Sequence, residues 1–134
     1  MSRDTIWYHA VVSNSIHGFE RLREYAEKKL TAEEINNKVL LAADYGGRTV
    51  WRLVAEWGNL EKLEKVWAWA KEKLTTEDIN NKLLLGTDNK GNTVWHMATK
   101  KSNLELLQNV REWAEEKLTI EEINNKLLLA TDNY

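Results

Sequence analysis

An all-α solenoid of three 44-residue repeats is the fold that this chain's pattern predicts. The stretch Lys73–Leu85 returns as Lys117–Leu129 and, in looser form, as Lys29–Leu41, each 44 residues from the next. Within every copy, apolar residues come back at three- and four-residue steps, the spacing of one helix face. Proline, which breaks a helix interior, is absent from all 134 residues. A period of roughly 20–50 residues marks an array in which one supersecondary unit stacks on the next. The copies run about 3–46, 47–90 and 91–134 without a gap, so residues 1–134 read as one repeat domain.

A polar turn crosses each junction between copies, Asp44-Tyr45-Gly46-Gly47-Arg48 and Asp88-Asn89-Lys90-Gly91-Asn92, whose glycines allow the positive φ of a tight turn. A short helix is expected next, about Thr49–Trp57, with equivalents Thr5–Ser13 and Thr93–Lys101. Thr49 stands as its N-cap, and Trp51, Val54 and Ala55 form the buried stripe. After Gly58-Asn59, or Ser102-Asn103 one repeat on, a longer helix covers about Leu60–Lys73. Its core face reads Leu60, Leu63, Val66, Ala70 and Leu74. The corresponding faces are Ile16, Phe19, Leu22, Ala26 and Leu30 in the first copy, and Leu104, Leu107, Val110, Ala114 and Leu118 in the third. Thr75-x-x-Asp78, Thr31-x-x-Glu34 and Thr119-x-x-Glu122 then read as capping boxes, each starting a short third helix. That helix is expected to bury Ile79 and Leu83 and to reach about Leu84.

Composition narrows the function classes. A net charge of −2 gives no reason to expect nucleic acid or an anionic membrane as partner. No apolar run reaches the ~18 residues of a membrane span. The first residues, Met1-Ser2-Arg3-Asp4, lack an apolar leader core. Without cysteine there is neither a disulfide nor a thiolate metal site, and a reducing compartment fits. The expectation is a soluble, intracellular, cytoplasmic protein without a cofactor.

Catalytic signals are weak. His9 and His17 lie eight residues apart, across a helix break, which is not the i, i+4 geometry of a chelating pair. Glu33-Glu34, Glu77-Asp78 and Glu121-Glu122 could pass for paired carboxylates, but the first turn of a helix already accounts for them. No phosphate-cradling loop and no nucleophile–base pair is found, so no catalytic residue and no metal ligand is assigned.

The segment Asp88-Asn89-Lys90-Gly91-Asn92-Thr93-Val94-Trp95-His96-Met97-Ala98 resembles the D-x-x-G-x-T-P-L-H-x-A pattern of the ankyrin-repeat family. Gly58-Asn59-Leu60-Glu61 is similar to that family's inter-helix junction. The chain departs from the family in four ways. Val94 stands for proline, Trp95 for leucine, the period is 44 rather than about 33, and only His96 keeps the histidine, Arg52 and Tyr8 standing in its place. A three-helix period of this length also fits an armadillo-like or HEAT-like array. The resemblance implies an ankyrin-like solenoid in which His96 holds turns together by hydrogen bonds.

It also implies that turn tips and first helices line one concave groove, the family's usual partner surface. Much of the change between the second and third copies falls there: Tyr45, Arg48, Arg52, Glu56 and Trp57 become Asn89, Asn92, His96, Lys100 and Lys101. Aromatic and arginine side chains are favoured interface anchors. The partner-binding residues are therefore expected to be Tyr45, Arg48, Arg52, Glu56, Trp57, Asn89, Lys90, Asn92 and Lys101, on a protein partner. Trp57 is singled out, because it has no aromatic equivalent in the other copies. Trp67, with Arg23 and Arg111 as counterparts, reads instead as interior packing whose end copies turn polar, and Ala68 against Glu24 and Glu112 fits the same idea.

A well-kept scaffold with change gathered on one face suits a consensus or engineered array as well as a recent natural duplication. The competing function class is a structural scaffold that forms homo-oligomers. It draws on Trp113 and on an unfinished turn, Asp132-Asn133-Tyr134, at the end of the third copy.

Overall fold

The computed structural model describes residues 10, 11, 13, 15–57 and 59–128. Among the described residues from Ile16 on, eight α-helical segments and three π-helical ones follow in order. They are α1 (Ile16–Lys29), α2 (Ala32–Glu34) running into π1 (Ile35–Leu40), α3 (Val50–Glu56), α4 (Leu60–Lys73), and α5 (Thr76–Asp78) running into π2 (Ile79–Leu84). The chain continues with α6 (Val94–Lys100), α7 (Leu104–Lys117), and α8 (Ile120–Glu122) running into π3 (Ile123–Leu128). No strand occurs among the described residues; the single bridge joins Ala43 and Thr49. The first helix expected over 5–13 lies, apart from Ala10, Val11 and Ser13, outside the described residues.

Local chemistry sets the helix ends. Thr49 and Thr93 accept from the backbone N–H three residues on and start α3 and α6. Asn59 and Asn103 do the same for α4 and α7. Thr31 with Glu34, and Thr119 with Glu122, close reciprocal capping boxes. The box expected at Thr75 is only half made: its hydroxyl accepts from the Asp78 N–H, but no return bond forms. Aspartate is one methylene shorter than glutamate, and the Asp78 carboxylate lies 3.7 Å from the Lys82 ammonium instead. The third helical segment has the expected extent but not the α geometry. Each copy of Ile-Asn-Asn-Lys-(Val/Leu)-Leu coils as a π-helix, and bonds such as Leu85 N–H to Asn80 O (2.8 Å) span five residues. The wider coil buries Ile79, Leu83 and Leu84 together, an i, i+4, i+5 set.

Within a copy α3 packs on α4, and α6 on α7. Between copies α3 packs on α6, α1 on α4, π1 on both α3 and α4, and π2 on α7. The middle first helix is therefore packed against α4, α6 and π1. Val50, Trp51, Arg52, Leu53, Val54 and Ala55 are all buried, not only the expected stripe. Along the long helices Leu63, Val66, Ala70 and Leu74 are buried as expected. Leu104 is not, being 77% exposed; Leu106 is buried instead, and so is its counterpart Lys62. Burial lowers the Lys62 pKa.

Aromatic rings join the copies. Trp67 stacks on Trp113 at 4.8 Å, and Trp51 lies 5.7 Å from Trp67 and 5.9 Å from Trp113. Phe19 meets Trp69 edge-on at 5.9 Å across the other seam. Such pairs add about 0.5–1.5 kcal/mol beyond their burial. Arg111 is exposed, as end-capping requires, and pairs with Glu115 at 3.1 Å. That reading fails at Ala68, which is exposed like Glu24 and Glu112 and so faces no neighbouring copy.

The recurring asparagines join the copies too. Asn36 Nδ2 donates to Lys73 O at 3.2 Å, and Asn80 Nδ2 donates to Lys117 O at 3.1 Å. Each amide thus reaches a carbonyl near the C-terminus of the next copy's long helix, a group with no intrahelical partner. Asn80→Ala is expected to cost about 1 kcal/mol, because Lys117 O then loses its donor. Asn124→Ala, at the exposed equivalent, should leave the stability of the single chain within about 0.5 kcal/mol. Equal urea midpoints for the two variants would contradict this account.

Candidate functional site

The site is built on two adjacent turns. In the first, Asp44 Oδ1 accepts from the N–H groups of Gly46 (2.9 Å) and Arg48 (2.8 Å). Asp88 Oδ1 repeats this with Lys90 (2.8 Å) and Asn92 (3.0 Å). Gly47 and Gly91 take φ of 81° and 84°, the left-handed region where glycine carries no steric penalty. Gly47 is needed for a second reason: a Cβ there would come within 2.6 Å of Asn89 Oδ1. The two turns lie that close because Asn89 donates from its backbone N–H to Gly46 O (2.9 Å) and from Nδ2 to Tyr45 O.

The first helices add the charged groups. Arg48 bridges Asp44 (3.0 Å) and Glu56 (2.8 Å). Arg52, only 6% exposed, reaches into the following turn and donates to Asp88 Oδ2 at 3.0 Å and to Asn92 O at 2.9 Å. Burial pushes the Arg52 pKa down against the pull of Asp88 and Glu56. Burial would raise the Asp88 carboxyl, yet the N–H groups of Asn92 and Lys90 and the Arg52 guanidinium hold it below its ordinary value. His96, at the Arg52 position one copy later, stays at home. Its Nδ1 accepts from the Thr93 N–H at 3.1 Å and lies 3.0 Å from Thr93 Oγ1, closing the cap of α6.

Between the turns and first helices opens a concavity of about 540 Å3. Seven of the nine residues expected to bind a partner line it: Arg48, Arg52, Glu56, Asn89, Lys90, Asn92 and Lys101. Tyr45 and Trp57 do not, but each adjoins a lining residue, Gly46 or Glu56, and they are 94% and 76% exposed. Arg52 lines the wall while committed to Asp88, so it holds the two turns together and is not free to anchor a partner. Asp88, Met97 and Lys100 complete the lining and were not singled out. Lys100 carried a signal, since it replaces Glu56 one copy on. Both arginines sit beside carboxylates, whereas Lys90 and Lys101 on the rim are exposed.

Among the described residues, no three His, Asp or Glu side chains are placed to hold a metal ion. No described helix is long and apolar enough to cross a membrane. Comparison with protein-family models, with curated proteins and with solved structures finds no match to this chain.

Proposed function

We propose that the chain is an ankyrin-like solenoid that recognises a protein partner, without catalysis, through the concavity formed by its turns and first helices. The observation that carries this reading is the convergence of seven expected residues, drawn from two copies, on one depression beside two exposed aromatics. Recurrence of the same helices every 44 residues, each copy packed on the next, supports the solenoid. Exposed Tyr45 and Trp57 are large, stiff anchors of the kind that dominate interface energies. The exposed Lys90 and Lys101 suit an acidic segment of the partner, whose capture would weaken with salt.

Selection of a random peptide display library against the protein, followed by NMR shift mapping of the strongest binder, tests this reading. Perturbations at Gly46, Asn89–Asn92 and the Trp57 indole are expected. Perturbations confined to surfaces away from these turns would overturn it. Against the selected ligand, Trp57→Ala should cost about 2 kcal/mol or more of affinity. An isotherm unchanged by that substitution removes Trp57 from the site.

A further inference from the structure

A second concavity, about 280 Å3, opens on the far face of the third copy, lined among others by Trp95, Arg111, Glu115, Ile123, Asn124 and Leu127. One period back these positions are Trp51, Trp67, Lys71, Ile79, Asn80 and Leu83. In the second copy that face is closed by the long helix of the next copy. Trp113 stacks on Trp67 at 4.8 Å, Lys117 O accepts from Asn80, and Glu116 lies 3.4 Å from Lys71. In the first copy it is closed the same way: Lys73 O accepts from Asn36, and the Lys73 ammonium pairs with Glu27 at 2.6 Å. The molecule thus displays twice what covers this face. On the third copy Asn124 is exposed, Trp95 is half-buried, and Ile120 on the rim is 78% exposed.

We propose that this face takes a second copy of the chain head to tail, with α1 of one molecule seated on the third copy of another as α4 and α7 are seated within the chain. The matching groups sit at the matching positions of α1. Tyr25, 53% exposed, occupies the place of Trp69 and Trp113. There it meets Arg111 where the second and third copies bring the indoles of Trp67 and Trp113 together, a cation–π pair in place of a stack. Lys29 ends α1 as Lys73 and Lys117 end their helices, so its carbonyl is the acceptor for Asn124. The Lys29 ammonium faces Glu115 as that of Lys73 faces Glu27, with the same pairing of charge. Such a contact is heterologous: it leaves one free face at each end and propagates into rods.

Sedimentation velocity across micromolar to millimolar concentrations tests the proposal on three proteins. The parent should rise above 15.6 kDa with concentration. Asn124→Asp puts a carboxylate where an amide must donate, and Tyr25→Arg sets like charges against Arg111. Both sites are exposed in the single chain, so each variant should fold and stay monomeric. Mixed one to one, the two variants should form a dimer and nothing larger, because each supplies the face that the other lacks. A parent that stays at 15.6 kDa throughout overturns the proposal, as does association undiminished in both variants. Binding at the turn concavity is unaffected by either outcome.

Discussion

Trp67→Ala is expected to destabilise the fold by about 3–5 kcal/mol, the range for emptying a buried tryptophan site. Against a total of about 5–15 kcal/mol for a domain, that is a large share. The indole is 3% exposed and stacked at 19° on Trp113, with Trp51 beside both. These three rings come from α4, α7 and α3, helices already fixed by their other contacts, so the walls of the cavity have little room to collapse. Its Nε1 is buried without a hydrogen-bond partner, so Trp67→Phe gives up no polar interaction and should cost less than half as much. Trp57→Ala, at a 76% exposed position, should stay within about 0.5 kcal/mol. Urea denaturation followed by circular dichroism reads all three. A Trp67→Ala midpoint close to that of Trp57→Ala would mean that the aromatic seam does not couple the copies.

The helices were legible because their signals are local. Asn59, the three- and four-residue apolar steps, and Leu74 define α4 within a single window, and the ends observed are those expected. The π geometry was not, since Ile79, Leu83 and Leu84 at i, i+4, i+5 satisfy an α reading as well as a wider coil. Asn80 recurs as Asn36 and Asn124, but its acceptor, Lys117 O, is 37 residues away and no local pattern points to it. Comparing copies found most of the concavity, because the residues that differ between the second and third copies gather on the turns and first helices that line it. The same logic misread Arg52. It differs from His96 not because it faces solvent but because the two side chains satisfy different groups. Arg52 spans to Asp88 in the next turn, whereas His96 caps its own helix. Variation between copies marks freedom only where a side chain answers to nothing in the next repeat.

Arg52→Ala is the second large expected effect, about 3 kcal/mol, the low end of the range for breaking a buried ion pair by removing one partner. The low end applies because Asp88, with 14% of its side chain exposed, keeps the N–H groups of Lys90 and Asn92, and Glu56 keeps Arg48. Asp88→Asn removes the other partner, and combining the two changes should cost less than their sum by about 0.5–3 kcal/mol, since each alone already loses the pair. Acid separates the two halves. The folded state holds the Asp88 carboxyl below its ordinary value, so its contribution is fully present above the unfolded pKa of about 3.9. That contribution fades as pH falls through the lower folded value. Arg52 stays protonated over this range, so the acid slope belongs to the carboxylate. The parent should therefore lose stability steeply below about pH 4. Asp88→Asn should show a shallower acid limb, and Arg52→Ala an intermediate one, because the two N–H donors still favour the ionised form. Parallel acid limbs for the parent and Asp88→Asn would show that the inter-turn pair carries none of the pH dependence.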